Sequence, residues 1–211
     1  MIHMSRPRKM PCRSWSLQAG DTCPGSIDPK TKKPVAVCSG CYAKLGNYNY
    51  SHVKIPRENN RLDWIKPDWV DRMVAELDND RYFRWFDSGD VYHPKLAEKI
   101  YQIMVKTPWV KHWLPTKSYK IPKIKVWLKK MKKLPNVMVR YSSDSITGKY
   151  NAEHGSTVIP SSDYATKAFV CGAYDRDGKC GPCRECWNKS TPVIAYPAHG
   201  IVLKSRLKKA A

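Results

Sequence analysis

Eight cysteines carry the clearest chemistry in this 211-residue chain, and they fall into two groups near its ends. Cys12, Cys23, Cys38 and Cys41 form the first group; Cys171, Cys180, Cys183 and Cys186 form the second. Thiolates are soft ligands that suit zinc and iron–sulfur clusters. No positively charged leader with an apolar run opens the chain, so the expected compartment is the cytoplasm, where thiols stay reduced. Eight cysteines among 211 residues also fall short of a disulfide-stapled scaffold.

The second group contains Cys180-x2-Cys183-x2-Cys186, with Cys171 set off by eight residues. This triple run resembles the cluster-binding run of bacterial ferredoxins, where three thiolates wrap one face of a four-iron cube. Zinc is the alternative metal, since Cys180-Gly181-Pro182-Cys183 can form one knuckle. A thioredoxin-like redox pair needs Cys-Gly-Pro-Cys at a helix N-terminus behind a strand. Here the motif lies inside a denser cysteine array.

Something must hold these groups in place, and the middle of the chain has the periodicity to do it. Three zones are expected within a single domain spanning 1–211: a cysteine loop region over 10–60, strand–helix repeats over 61–145, and short strands with the second cysteine group over 146–200. The basic tail from Lys204 to Ala211 is expected to fray. Trp69, Val70, Met73, Val74 and Leu77 have helical spacing. So do Leu96, Ala97, Ile100, Ile103 and Met104 after Pro94, and Ile124, Trp127, Leu128 and Met131 after Pro122. Between them, strands are expected to begin near 82, 110 and 137. Steps of this size mark strand–helix units of a parallel sheet. Later apolar runs at 157–159, 168–171 and 192–196 add further strands. The expected fold class is α/β, a full or partial (βα) barrel with cysteine-rich loop segments at both ends; an open doubly wound sheet is the alternative.

In either architecture the chemistry belongs beyond the C-terminal ends of the strands. The first strand runs into Asp87-Ser88-Gly89-Asp90, the second into Thr116-Lys117-Ser118-Tyr119, the third into Ser142-Ser143-Asp144-Ser145, and a fourth into Ser161-Ser162-Asp163. Small polar and acidic groups delivered repeatedly to one edge suggest a site, although βα loops are polar for helix capping as well. His93, just after the first of these turns, is either a ligand or acid–base group, or a helix-start or surface residue. Arg57, Arg61, Tyr48 and Tyr50 are candidates for contacting an anionic substrate, or for packing. No P-loop, dinucleotide fingerprint or Ser-His-Asp order is present. No apolar stretch reaches membrane-spanning length.

The formal net charge is +20, from 38 Lys and Arg against 18 Asp and Glu. Lys99 to Ser143 holds twelve of the basic residues and no acidic one. Such an excess points to a polyanionic partner, above all DNA or RNA, through the Lys99–Arg140 region. The bland alternative is a solvated surface. Charge alone says nothing about chemistry or oligomeric state.

The run Cys23-Pro-Gly, then Cys38-Ser39-Gly40-Cys41-Tyr42-Ala43, followed by a strand ending in an acidic turn and one ending in Thr-Lys, resembles phage-encoded Cys-x-x-Cys-Tyr-Ala proteins of largely unknown function. Those in turn resemble radical S-adenosylmethionine enzymes. The resemblance implies a four-iron cluster on Cys23, Cys38 and Cys41, with the fourth iron open to the amino and carboxylate groups of S-adenosylmethionine. It implies that Asp87-Ser88-Gly89-Asp90 holds the cofactor amine, with Lys117, Ser143 and Asp144 on the same rim. Cys12 is either a fourth ligand that closes this cluster or a small buried apolar group that leaves one iron open. Cys171, Cys180, Cys183 and Cys186 would hold a second, auxiliary centre. The competing reading is a non-catalytic nucleic-acid-binding protein stabilised by zinc or closed clusters.

Overall fold

In the computed structural model, which describes residues 1–200 together with Leu203, Ser205 and Leu207, the regular part of the chain is a five-stranded sheet. Its strands are β1 (Met4–Ser5), β2 (Arg13–Trp15), β3 (Tyr82–Trp85), β4 (Lys111–Thr116) and β5 (Val137–Tyr141). They lie in chain order, with β1 antiparallel to β2 and every other pair parallel. The helices α1 (Ser51–Asp63), α2 (Trp69–Glu76), α3 (Pro94–Lys106) and α4 (Pro122–Lys133) accompany them. A second, parallel sheet contains β6 (Ser156–Ile159), β7 (Phe169–Val170) and β8 (Ile194–Pro197), in the order β6-β8-β7. A single bridge, Ser142 to Ser156, joins the end of β5 to the start of β6. The fold is mixed α/β, and no pairing among the described residues closes the strands into a ring. The expectation for the 204–211 tail falls mainly outside the described residues.

Strands β3 to β5 and helices α2 to α4 follow the sequence periodicity, and the alternation in each strand separates two faces. Phe83, Trp85, Leu114, Val137 and Val139 point into one core with Trp15. Trp69, Met73, Leu96, Ile100, Ile103, Ile124 and Leu128 bring α2, α3 and α4 against it. Each such side chain contributes about 1.5–3 kcal/mol by leaving water. The opposite face presents Arg84, Trp113 and Arg140. Residues 180–192 cover it: Trp113 meets Trp187 at 5.4 Å between ring centroids, and Trp187 Nε1 donates to Phe83 O at 3.0 Å.

One expectation is corrected. Residues 51–60 are not loop but the greater part of α1. Its buried positions are Arg57, Asn60 and Asp63, while Ile55 and Leu62 are exposed. The helical period is carried by polar residues, so apolar patterning cannot reveal it. Hydrogen bonds replace the usual apolar face. Asn60 Nδ2 donates to His3 O and Ser16 O, and Arg72 donates to both carboxylate oxygens of Asp63.

Candidate metal centre

The ends of β2, β3 and β4 are bound to one another by side chains from the acidic turn. Ser88 Oγ donates to Leu17 O at 2.7 Å, and Leu17 N donates back to Ser88 O at 3.2 Å. Asp90 is buried and accepts from Val91 N at 2.7 Å, Thr116 Oγ1 at 2.6 Å and Lys117 N at 2.8 Å. Gly89 has φ +73°, and a Cβ there would stand 2.8 Å from Leu17 Cβ. Phe86 has φ +58°, a conformation costly for a bulky residue, held by its N–H donating to Trp15 O at 2.8 Å. This turn aims Asp87 away from the core. Asp87 pairs with Arg57 at 3.1 Å, and Arg57 lies 4.7 Å from the Tyr48 ring centroid.

The cysteine loop closes over these strand ends. Cys23 enters a short turn, Pro24–Ser26, whose Gly25 presses on the β4 end so closely that an added Cβ would stand 2.3 Å from Lys117 O. Lys120 Nζ donates to Gly25 O at 3.0 Å. Farther along, Val37 N donates to Asp144 O at 3.1 Å, which fixes the turn carrying Cys38 to the end of β5. The result is a cavity of about 200 Å³. Cys23, Cys38 and Cys41 share its wall with Asp87, Ser88, Gly89, Asp90 and Lys117. Charge on Cys38 or Cys41 is felt at Cys23. Burial pushes the Cys23 thiol up to about 12 and the Cys38 thiol up to about 11. Desolvation also raises Asp90 and lowers Lys117.

Two predicted residues lie behind the cavity rather than on it. Ser143 Oγ shares a hydrogen bond with Thr157 Oγ1 at 2.9 Å, and Asp144 pairs with Lys120 at 2.6 Å. Both reach the cavity through Lys117, whose Nζ donates to Ser142 O, Ser143 O and Asp144 Oδ1. Ser161, Ser162 and Asp163 are exposed and outside it. His93 caps α3, its Nδ1 accepting from Lys95 N at 3.1 Å. Tyr42 of the cysteine signature and Thr116 of the second strand end also line the cavity, together with Arg84, which the sequence reading did not single out. A lone arginine in the middle of an aromatic strand was the available signal for Arg84.

The second cysteine group lies on segments gathered by Arg140. This residue is fully buried, and its guanidinium donates to the carbonyls of Gly155, Glu185, Cys186, Asn188, Thr191 and Pro192. Arg140 therefore faces inward and is unavailable to phosphates. The same holds for buried Lys117, and Lys99 Nζ is engaged by the carbonyls of Trp64, Ile65 and Lys66. The exposed basic side chains of the region include Lys123, Lys129, Lys130, Lys132 and Lys133 on α4.

All eight cysteines are free thiols, none of them fully buried. Among the described residues, no three Cys, His, Asp or Glu side chains converge on one point as ligands of a single ion would. Thiolates around one zinc stand ~3.8 Å apart, given Zn–S bonds of ~2.3 Å. Those around an iron–sulfur cluster stand farther apart, because the cluster lies between them. Cys23, Cys38 and Cys41 lie on the wall of one cavity, and thiolates as a donor set suit iron and sulfide.

No helix among the described residues is long and apolar enough to cross a membrane. The chain belongs to the gene product 88 family, a phage-type family whose model matches residues 3–189. No curated protein and no solved structure matches it.

Proposed function

We propose that this chain is an iron–sulfur protein of the radical S-adenosylmethionine type, acting on a substrate that is a nucleic acid or derived from one. The observation that carries the reading is the sharing of one cavity wall by Cys23, Cys38, Cys41 and the strand-end turn Asp87–Asp90. The parallel order of β2 to β5, with a bridge onward to β6, supports reading the two sheets as a partial barrel with this cavity at its mouth. Cys23, Cys38 and Cys41 would hold the cluster. An open iron there would bind S-adenosylmethionine and supply the electron for its reductive cleavage, which enables hydrogen abstraction from a substrate.

The chain's own residues divide the remaining work. Asp90 has both carboxylate oxygens occupied by three donors, so it fixes the turn. Asp87 is the acid left for a cofactor amine, with Arg57 holding its orientation. Ser88 and Gly89 keep the backbone close to β2, and Lys117 ties the rim to Ser143 and Asp144. Closure by the cysteine loop restricts water.

The test is anaerobic purification followed by analysis of iron, sulfide and zinc, then incubation of the reduced protein with S-adenosylmethionine. Iron and sulfide in equal amounts, with release of 5′-deoxyadenosine, are expected. Zinc alone, without a visible sulfide-to-iron band, contradicts the reading. It would favour the second one, a metal-stabilised nucleic-acid-binding protein, for which the exposed lysines of α4 speak.

A further inference from the structure

Cys12 stands at the opposite end of the strands from the other early cysteines. It immediately precedes β2, at the end of the strands away from the cavity that holds Cys23, Cys38 and Cys41. The chain beside it lies on the second cysteine segment. Cys180 N donates to Lys9 O at 2.8 Å, and Lys9 Nζ sits 4.6 Å from the Tyr174 ring centroid. Cys183 N donates to Cys180 O at 3.2 Å, Cys171 N donates to Ala195 O at 2.8 Å, and Cys186 Sγ shares a hydrogen bond with the hydroxyl of the adjacent Tyr196 at 3.4 Å. The five cysteines lie on one connected set of segments.

Arg84 faces the same set. Among the described residues its one hydrogen bond is to Met10 Sδ at 3.2 Å, its Nε is buried without a partner, and its guanidinium lies 4.7 Å from the Trp113 ring centroid. Met10 is two residues from Cys12, and Trp113 meets Trp187, the residue after Cys186, which places Arg84 beside both segments. A half-buried guanidinium with a buried, unpartnered Nε is stabilised by an anion nearby. The carboxylate of Asp87 also feels Arg84, but it is already bonded to Arg57. A metal bound by several thiolates is such an anion, because its ligands give up their protons.

We infer that Cys12 belongs to the second centre and not to the first, so that this centre is assembled from both ends of the chain with Arg84 as its counter-cation. The inference rests on the iron–sulfur reading above. By spacing, Cys180, Cys183 and Cys186 take three corners of a four-iron cube. Cys12, whose segment is tied to Cys180 through Lys9 O, takes the fourth, with Cys171 alongside. The first centre keeps three thiols and thus an open iron. Arg84 also lines the first cavity, so it stands in the wall between the two centres.

Thiol labelling of the anaerobic holoprotein tests this without any variant. The protein is treated with N-ethylmaleimide before and after metal removal, and each cysteine is followed by peptide mass spectrometry. Cys12 is expected to be protected together with Cys180, Cys183 and Cys186, and to label about tenfold faster or more once metal is removed. Unchanged labelling of Cys12, while the tail cysteines respond, overturns the inference and leaves the iron–sulfur reading standing. If none of the eight cysteines responds, the iron–sulfur reading fails and this inference fails with it. In a Cys23→Ala/Cys38→Ala/Cys41→Ala background, Arg84→Gln is expected to lower the iron retained and Arg84→Lys to restore it. Equal iron in all three proteins removes Arg84 from the proposal.

Discussion

Two residues decide whether the strand ends and the cysteine loop stay in register. Gly25 lies against the Lys117 carbonyl with no room for a methyl group. Gly25→Ala is expected to push the Cys23 turn off the β4 end, costing about 1–3 kcal/mol of stability. Denaturant unfolding measures the loss, and an unchanged midpoint would show that the loop moves freely. Asp90 joins three donors from two strand ends, so Asp90→Ala leaves Thr116 Oγ1 and two backbone N–H groups without it. A loss of about 2–4 kcal/mol is expected from charge-assisted hydrogen bonds removed at a buried site. At this scale the sequence was partly legible. The thiols and the polar strand ends could be found because their residue types are chemically distinctive. What spacing cannot express is which of two acids is internally satisfied. Nor could it show that Cys12 sits at the opposite end of the strands from Cys23.

Among the elements, β3 to β5 and α2 to α4 announce themselves through apolar period, with Pro94 and Pro122 at the first turns of α3 and α4. α1 does not, because its packed face is Arg57, Asn60 and Asp63. That face gives a pH signature. Hydrogen bonds from Arg72 and Lys66 hold the Asp63 carboxyl at about 2, below its ordinary value of 3.8. A folded-state value below the unfolded one means that the pair stabilises the fold above about pH 4. The contribution fades as pH falls through about 2. It amounts to about 1–2 kcal/mol, allowing for the partial exposure of Arg72. Asp63→Asn should lower stability at neutral pH and flatten its dependence between about pH 4 and 2; a thermal melt series in acid checks this. The second cysteine segment depends on Arg140 in the same way, through polar contacts made by one residue. Arg140→Met is expected to free six carbonyls from their donor and cost about 3–5 kcal/mol.

For the whole molecule, a net charge of +20 predicts affinity for polyanions, but the structure withdraws part of the basic region from any partner. Arg140 and Lys117 serve the fold, leaving the lysines of α4 as an outward face. DNA or RNA binding should weaken steeply with salt, and Lys129→Glu/Lys130→Glu/Lys133→Glu should reduce both affinity and the salt slope. A slope unaffected by these changes would place nucleic-acid contact elsewhere or remove it. The central claim concerns the cavity at the strand ends: that Cys23, Cys38 and Cys41 hold a cluster with an iron open to S-adenosylmethionine. Electron paramagnetic resonance of the reduced protein tests it most directly, recorded with and without S-adenosylmethionine. The account predicts a cluster signal that shifts when S-adenosylmethionine is added, and a Cys23→Ala/Cys38→Ala/Cys41→Ala protein that retains only a signal insensitive to it. A wild-type signal indifferent to S-adenosylmethionine, or one undiminished in the triple variant, would contradict it.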